Sequence, residues 1–152
     1  MISEKELLIL SHLRKNARQP ITSISRKTKI PVSTIHDRVK SFEKKIIKKH
    51  TTLIDFSKIG FNIRLHMLIN VEKREDFMRF ISKDMYINSA YAIDGYYNFV
   101  LDCLFRDMTE MDRFMEKIEQ FVVKEKKFSY ILHELKRESF LENPKILEVL
   151  KW

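Results

Sequence analysis

The chain has 152 residues, enough for one compact domain or two small ones, and 44% of them are hydrophobic. Two glycines and three prolines rule out collagen-like and low-complexity classes, and a single cysteine, Cys103, rules out an internal disulfide. The net charge is +8, and it is unevenly placed: residues 1–50 hold 13 Lys and Arg against 4 Asp and Glu, a net of +9, whereas residues 51–152 hold 16 against 17. A basic block beside a neutral one points to a polyanion-binding module joined to something else.

Ser3-Glu4-Lys5-Glu6 has the spacing of a capping box, and an apolar-rich helix follows to about Lys15. Asn16 to Pro20 ends it. A second short helix is expected from Thr22, as N-cap, to Lys27, and Pro31 disfavours helical geometry at Ile30. A third helix is expected from about Val32 to Lys44. Ile35, Val39 and Phe42 recur at i, i+4 and i+7 and form its packed face. Ser33, Asp37, Lys40 and Lys44 fall on the opposite face, flanked by Thr34 and His36. Such a helix, apolar on one side and polar and cationic on the other, suits a major groove, and three short helices of this kind make a helix-turn-helix.

Residues 46–56 are rich in β-branched side chains and read as strand, turn, strand: a wing with Lys48, Lys49 and His50 at its tip, placed for phosphate contact. Arg18, Arg38 and Lys44 are further candidates for phosphate contacts. Arg38 lies toward the packed side of its helix, so an ion pair within the domain is equally open for it. The segment 56–62 reads as a linker.

Beyond the linker the pattern is strand (61–71), helix (74–83), strand (86–93), an Asp94-Gly95 turn, strand (96–105), helix (108–122) and strand (128–135). This βαββαβ order is that of a ferredoxin-like domain. A tail helix is expected at Asn143-Pro144, with Ile146, Leu147, Val149 and Leu150 on one face. The domains are therefore 1–55, a winged helix-turn-helix, and 63–152, an α+β domain. Cys103 lies in an apolar run and reads as a buried structural thiol.

No apolar run is long enough to span a membrane and the N-terminus lacks the h-region of a signal peptide, so a cytoplasmic protein without membrane contact is expected. No zinc spacing, phosphate-binding loop, nucleophile elbow or paired carboxylates stand out. Neither a cofactor nor a metal is expected, and the chain reads as a non-enzyme. The lysine- and isoleucine-rich, glycine-poor composition suggests an archaeal source.

The whole layout resembles the Lrp/AsnC, or leucine-responsive, transcriptional regulators. Ile9-Leu10-x-x-Leu13-x-x-Asn16-Ala17-Arg18, Ser33-Thr34-Ile35-x-x-Arg38-Val39-x-x-Phe42-Glu43, and Ile54-Asp55 with Ile59-Gly60 match that family's motifs. The resemblance implies sequence-specific binding of double-stranded DNA by a homodimer or larger homo-oligomer, assembled through the C-terminal domain. It also implies a small-molecule effector, with contacts at Gly95, Tyr97 and Asn98. The family's Gly-x-Tyr-Asp reads Gly95-Tyr96-Tyr97-Asn98 here, so a neutral amide stands where a carboxylate is usual. Two other functions fit the fold: an interaction or architectural protein without a specific operator, and a siroheme-decarboxylase-like enzyme, for which His66 and His133 would be the available histidines.

Overall fold

The structure, a computed structural model, describes residues 2–143. The expected tail helix lies outside the described residues. The described chain divides into two compact units, residues 2–53 with 135–143, and residues 54–134. Of the span expected as the second domain, residues 135–143 group with the first unit.

The first unit is built from α1 (Glu4–Lys15), α2 (Ile21–Thr28) and α3 (Val32–Lys45). The capping box at α1 is complete: the Ser3 hydroxyl accepts from the Glu6 backbone, and Glu6 accepts from the Ser3 backbone. Helix α2 starts earlier than expected. Its N-cap is Pro20, not Thr22, because the proline φ of −59° already suits chain entry and its carbonyl accepts from Ser23 and Ile24. Ile9, Ile24, Ile30, Ile35 and Phe42 are buried together, and Leu10, Leu13, Ile21, Val39 and Ile47 pack around them.

The strands of the expected wing do not form. Residues 47–55 run without a ladder, and Leu53 and Ile54 are exposed. Each arm would be only a few residues long, the tip carries adjacent lysines and no turn glycine, and an isolated two-stranded ribbon is marginal in water. A short 3₁₀ turn, Phe56–Ile59, then ends on Gly60 at φ 93°, a left-handed position that favours glycine.

The second unit contains β1 (Ile63–Val71), α4 (Arg74–Ile81), β2 (Ile87–Ala92), β3 (Phe99–Phe105), α5 (Met108–Glu119) and β4 (Val123–Tyr130). The sheet order is β2-β3-β1-β4, antiparallel throughout, which is the ferredoxin-like arrangement. Alternation sorts the strands: Leu65, Met67, Ile69 and Val71 of β1, with Phe99, Leu101, Cys103 and Phe105 of β3, share the core with Phe77, Met111, Phe114 and Ile118 of the two helices. Burial pushes the Cys103 thiol up to about 12, as expected of an inert structural cysteine.

Strand β4 lies five residues earlier than expected. Its charged run Lys124-Glu125-Lys126-Lys127 belongs to the ladder, with Ile69 opposite Lys126 and Leu68 opposite Lys127. An edge strand needs only one ladder partner, and charge on it discourages pairing with other chains, so the apolar alternation further on misplaced it.

Candidate nucleic-acid interface

The turn between α2 and α3 is fastened from within. The Ser25 hydroxyl donates to the Ile30 carbonyl at 2.6 Å, and the Thr28 hydroxyl donates to the Ile24 carbonyl at 2.8 Å while accepting from the Ile30 N–H. Lys29 ends α2 in the left-handed region, φ 59°, so the chain reverses tightly. Buried Ile30 anchors the turn, and Pro31 launches α3.

Helix α3 presents the two faces its spacing predicts. Ile35 and Phe42 are buried and Val39 is half-buried, whereas Ser33, Thr34, His36, Asp37, Lys40 and Lys44 are all exposed. His36 Nδ1 stands 3.7 Å from Asp37 Oδ1. No acid occupies the first turn of α3 and no side chain caps it, so the positive end of the helix dipole is not neutralised there. Of the other candidates, Arg18 is exposed in the α1–α2 connection, where its N–H donates to Asn16 Oδ1 at 2.9 Å. Lys48 and Lys49 are exposed just beyond α3, and His50 pairs with Glu43 at 3.3 Å. Arg38 differs from the rest: its guanidinium is 3.1 Å from Glu6 of α1. Sequence reasoning did not single out Glu6 as that partner, since 32 residues separate the two and no periodicity links them.

In the second unit, the β2–β3 hairpin brings Gly95, Tyr96, Tyr97 and Asn98 over the end of β1. Gly95 turns the chain at φ 135°. Tyr96 and Tyr97 both donate to Glu125 of β4, at 2.5 and 3.1 Å. That carboxylate holds the Tyr96 hydroxyl above its usual pKa, and burial together with Glu125 does the same for Tyr97. Asn98 acts as a surrogate peptide. Its Oδ1 accepts from the Val71 N–H at 3.2 Å, and its Nδ2 donates to the Val71 carbonyl at 2.8 Å and to Asn70 Oδ1 at 3.3 Å. This closes β1 at the point where its register with β4 shifts. An aspartate cannot donate to those oxygens. Asn98→Asp should therefore lower stability by about 1–3 kcal/mol in chemical denaturation; an unchanged midpoint would show that the clamp carries no weight.

His66 stands 3.5 Å from Asp102, and His133 is exposed beyond β4. Among the described residues no group of three His, Cys, Asp or Glu could hold a metal ion, and no helix is long and apolar enough to cross a membrane.

A helix-turn-helix with an exposed polar third helix, followed by a βαββαβ unit, defines a two-part DNA-binding regulator. A family model for winged helix-turn-helix DNA-binding domains matches residues 2–45, and one for the Lrp/AsnC ligand-binding domain matches residues 63–141. The chain belongs to the Lrp/AsnC family and is a DNA-binding transcriptional regulator of that type. It is 25% identical to an HTH-type transcriptional regulator of Pyrococcus abyssi over 147 residues, covering 95% of this chain and 100% of that one. A second such regulator, from Pyrococcus furiosus, is 30% identical over 129 residues, covering 81% and 83%. These relatives agree with the archaeal composition. Among solved structures, a Neisseria meningitidis transcriptional regulator in complex with L-Met superposes with a TM-score of 0.81 at 22% identity, covering 90% of this chain and 94% of that one. Bacillus subtilis LrpC gives 0.80 at 22% identity, covering 90% and 98%. Both have this fold.

Proposed function

We propose that the chain regulates transcription by reading a pseudo-palindromic operator as a homodimer, each copy laying α3 in a major groove. The observation that carries this is the exposed stripe Ser33, Thr34, His36, Asp37, Lys40 and Lys44 opposite the buried Ile35 and Phe42. Short hydroxyls and imidazole serve base edges, Asp37 can accept from a cytosine amino group or orient Lys40, and Lys44 reaches the flank. Arg18, Lys48 and Lys49 supply phosphate contacts, which set position rather than sequence. Half-sites would then lie about one helical turn apart.

Dimerisation is assigned to the second unit. Helices α4 and α5 pack on the face of the sheet that holds the core, and the other face carries Leu68, Val100 and the exposed Tyr91. A small effector of the amino-acid class is the proposed input, seated at the hairpin of Gly95, Tyr97 and Asn98, as L-Met accompanies the Neisseria regulator in its structure. Asn98 serves there by holding the hairpin, since its amide is engaged with Val71. The protein acts in the cytoplasm and catalyses no reaction.

The test is a titration of the duplex that the protein enriches from a random library, beside a scrambled duplex, at several salt concentrations. Preference for the enriched duplex is expected, and equal affinity for both would refute operator reading. Lys48→Gln and Lys49→Gln should each flatten the slope of log K against log salt by about 0.9, on both duplexes. Slopes identical to the parent would remove those lysines from the interface.

A further inference from the structure

Arg38 belongs to the family motif on the recognition helix, yet its place in the structure differs from that of its polar neighbours. At about 100° per residue, Arg38 lies about 60° from Ile35 and about 40° from Thr34 around α3, at the edge where the packed stripe meets the exposed one, with 53% of its side chain exposed. Its Nη1 meets Glu6 Oε1 at 3.1 Å. The Glu6 carboxylate is also held from its other side: its second oxygen accepts from the Ser3 N–H and from the Ser3 hydroxyl, each at 2.8 Å. Glu6 is also largely shielded, with 18% of its side chain exposed. The hydrogen bonds from Ser3, aided by the charge of Arg38, hold its carboxyl below the usual value. The N-terminal cap of one helix thus presents a rigid anion to the middle of another.

We infer that Arg38 is a positioning residue, not a DNA contact: its pairing with the capped Glu6 fixes the roll of α3 about its own axis. This rests on α3 being the recognition helix. Apolar packing of Ile35, Val39 and Phe42 sets the coarse seating of the helix, and the Arg38–Glu6 pair adds a contact of defined direction at the edge of that packed face. A roll of about 20° moves a side-chain tip about 6 Å from the axis by about 2 Å. Base-edge hydrogen bonds hold only over 2.7–3.2 Å, so such a roll breaks them, while phosphate contacts by long lysines survive. The Ser3–Glu6–Arg38 chain therefore governs discrimination between sequences, and the lysines govern overall attraction.

The test compares Arg38→Gln, Glu6→Gln and the double variant on the enriched and scrambled duplexes, across a salt series, with thermal melts to show that each is folded. Glutamine at position 6 keeps the cap hydrogen bond but loses the charge that Arg38 needs. Both single variants should lose about two- to fivefold in affinity for the enriched duplex and change little on the scrambled one, at an unchanged salt slope. The double variant should be no worse than either single. A phosphate role predicts the reverse: Arg38→Gln would flatten the slope by about 0.9 on both duplexes, and Glu6→Gln, which removes a negative charge, would strengthen binding. That pattern, or no change in either single variant, overturns the inference. Failure of the parent protein to prefer any duplex would instead strike at the recognition-helix reading itself.

Discussion

Arg64→Met should lower stability by about 3–5 kcal/mol at neutral pH, because it strands a buried carboxylate. Asp102 sits on β3 with only 8% of its side chain exposed, on the sheet face away from α4 and α5. Arg64, on the neighbouring strand, grips it with two bonds, Nε to Oδ1 at 2.7 Å and Nη2 to Oδ2 at 2.8 Å, and uses Nη1 for Glu134 at 2.8 Å. Asn88 donates to the same carboxylate at 2.8 Å, and His66 approaches at 3.5 Å. Burial pushes the Asp102 carboxyl up. The bonds from Arg64 and Asn88, with the charges of Arg64 and His66, outweigh that and hold it below the usual value. A carboxyl lowered in the folded state stabilises above its unfolded pKa, and that contribution fades as the pH falls through the folded value. Without Arg64 the burial effect dominates and the sign reverses: the variant is penalised at neutral pH and relieved as acid protonates Asp102. Urea denaturation at pH 7, 5 and 4 should show the gap between parent and variant narrowing toward low pH. A gap that stays constant would mean that the loss comes from the arginine's packed stem, not from the stranded charge.

The same cluster shows where sequence reading stops. Alternation along 63–71 and 99–105 identifies two half-buried strands, and the helical spacing of Phe77, Phe80 and Ile81, and separately of Met111, Phe114 and Ile118, identifies their covering helices. Such patterns are local, and the βαββαβ order follows from them. That Asp102 and Arg64 face each other is a matter of strand register, set by which strands become neighbours, and no single strand records it. Strand β4 fails for a related reason: as an edge strand it tolerates Lys124, Glu125 and Lys127, so its pattern is weaker than the apolar alternation that follows. In the first unit the exposed stripe of α3 was legible from spacing alone, whereas Glu6 as the partner of Arg38 was not. Asn98 was legible as a departure from a motif. Its engagement with both backbone groups of Val71 required the hairpin to be placed over β1.

The second large effect concerns the independence of the two units. Phe42 is 2% exposed and, among the described residues, is the one aromatic in the buried apolar cluster of the helical unit, with Ile9, Ile24, Ile30 and Ile35. Phe42→Ala should cost about 3–5 kcal/mol. Small single domains hold only about 5–15 kcal/mol in total, and a three-helix unit with so few buried side chains belongs at the low end. The helical unit should therefore lose its fold at physiological temperature. The core of the sheet unit should not follow, because Phe77, Phe105 and Phe114 form a separate cluster that shares no member with the first. Two readouts should part company: binding to the enriched duplex falls below detection, while the mass of the oligomer in light scattering is that of the parent. Amide exchange would locate the difference, with α1–α3 losing protection and β1 and β3 keeping theirs. Loss of both binding and assembly in one transition would show instead that the units fold as one. DNA binding and self-association would then be coupled through stability alone, and mutations in either core would silence both.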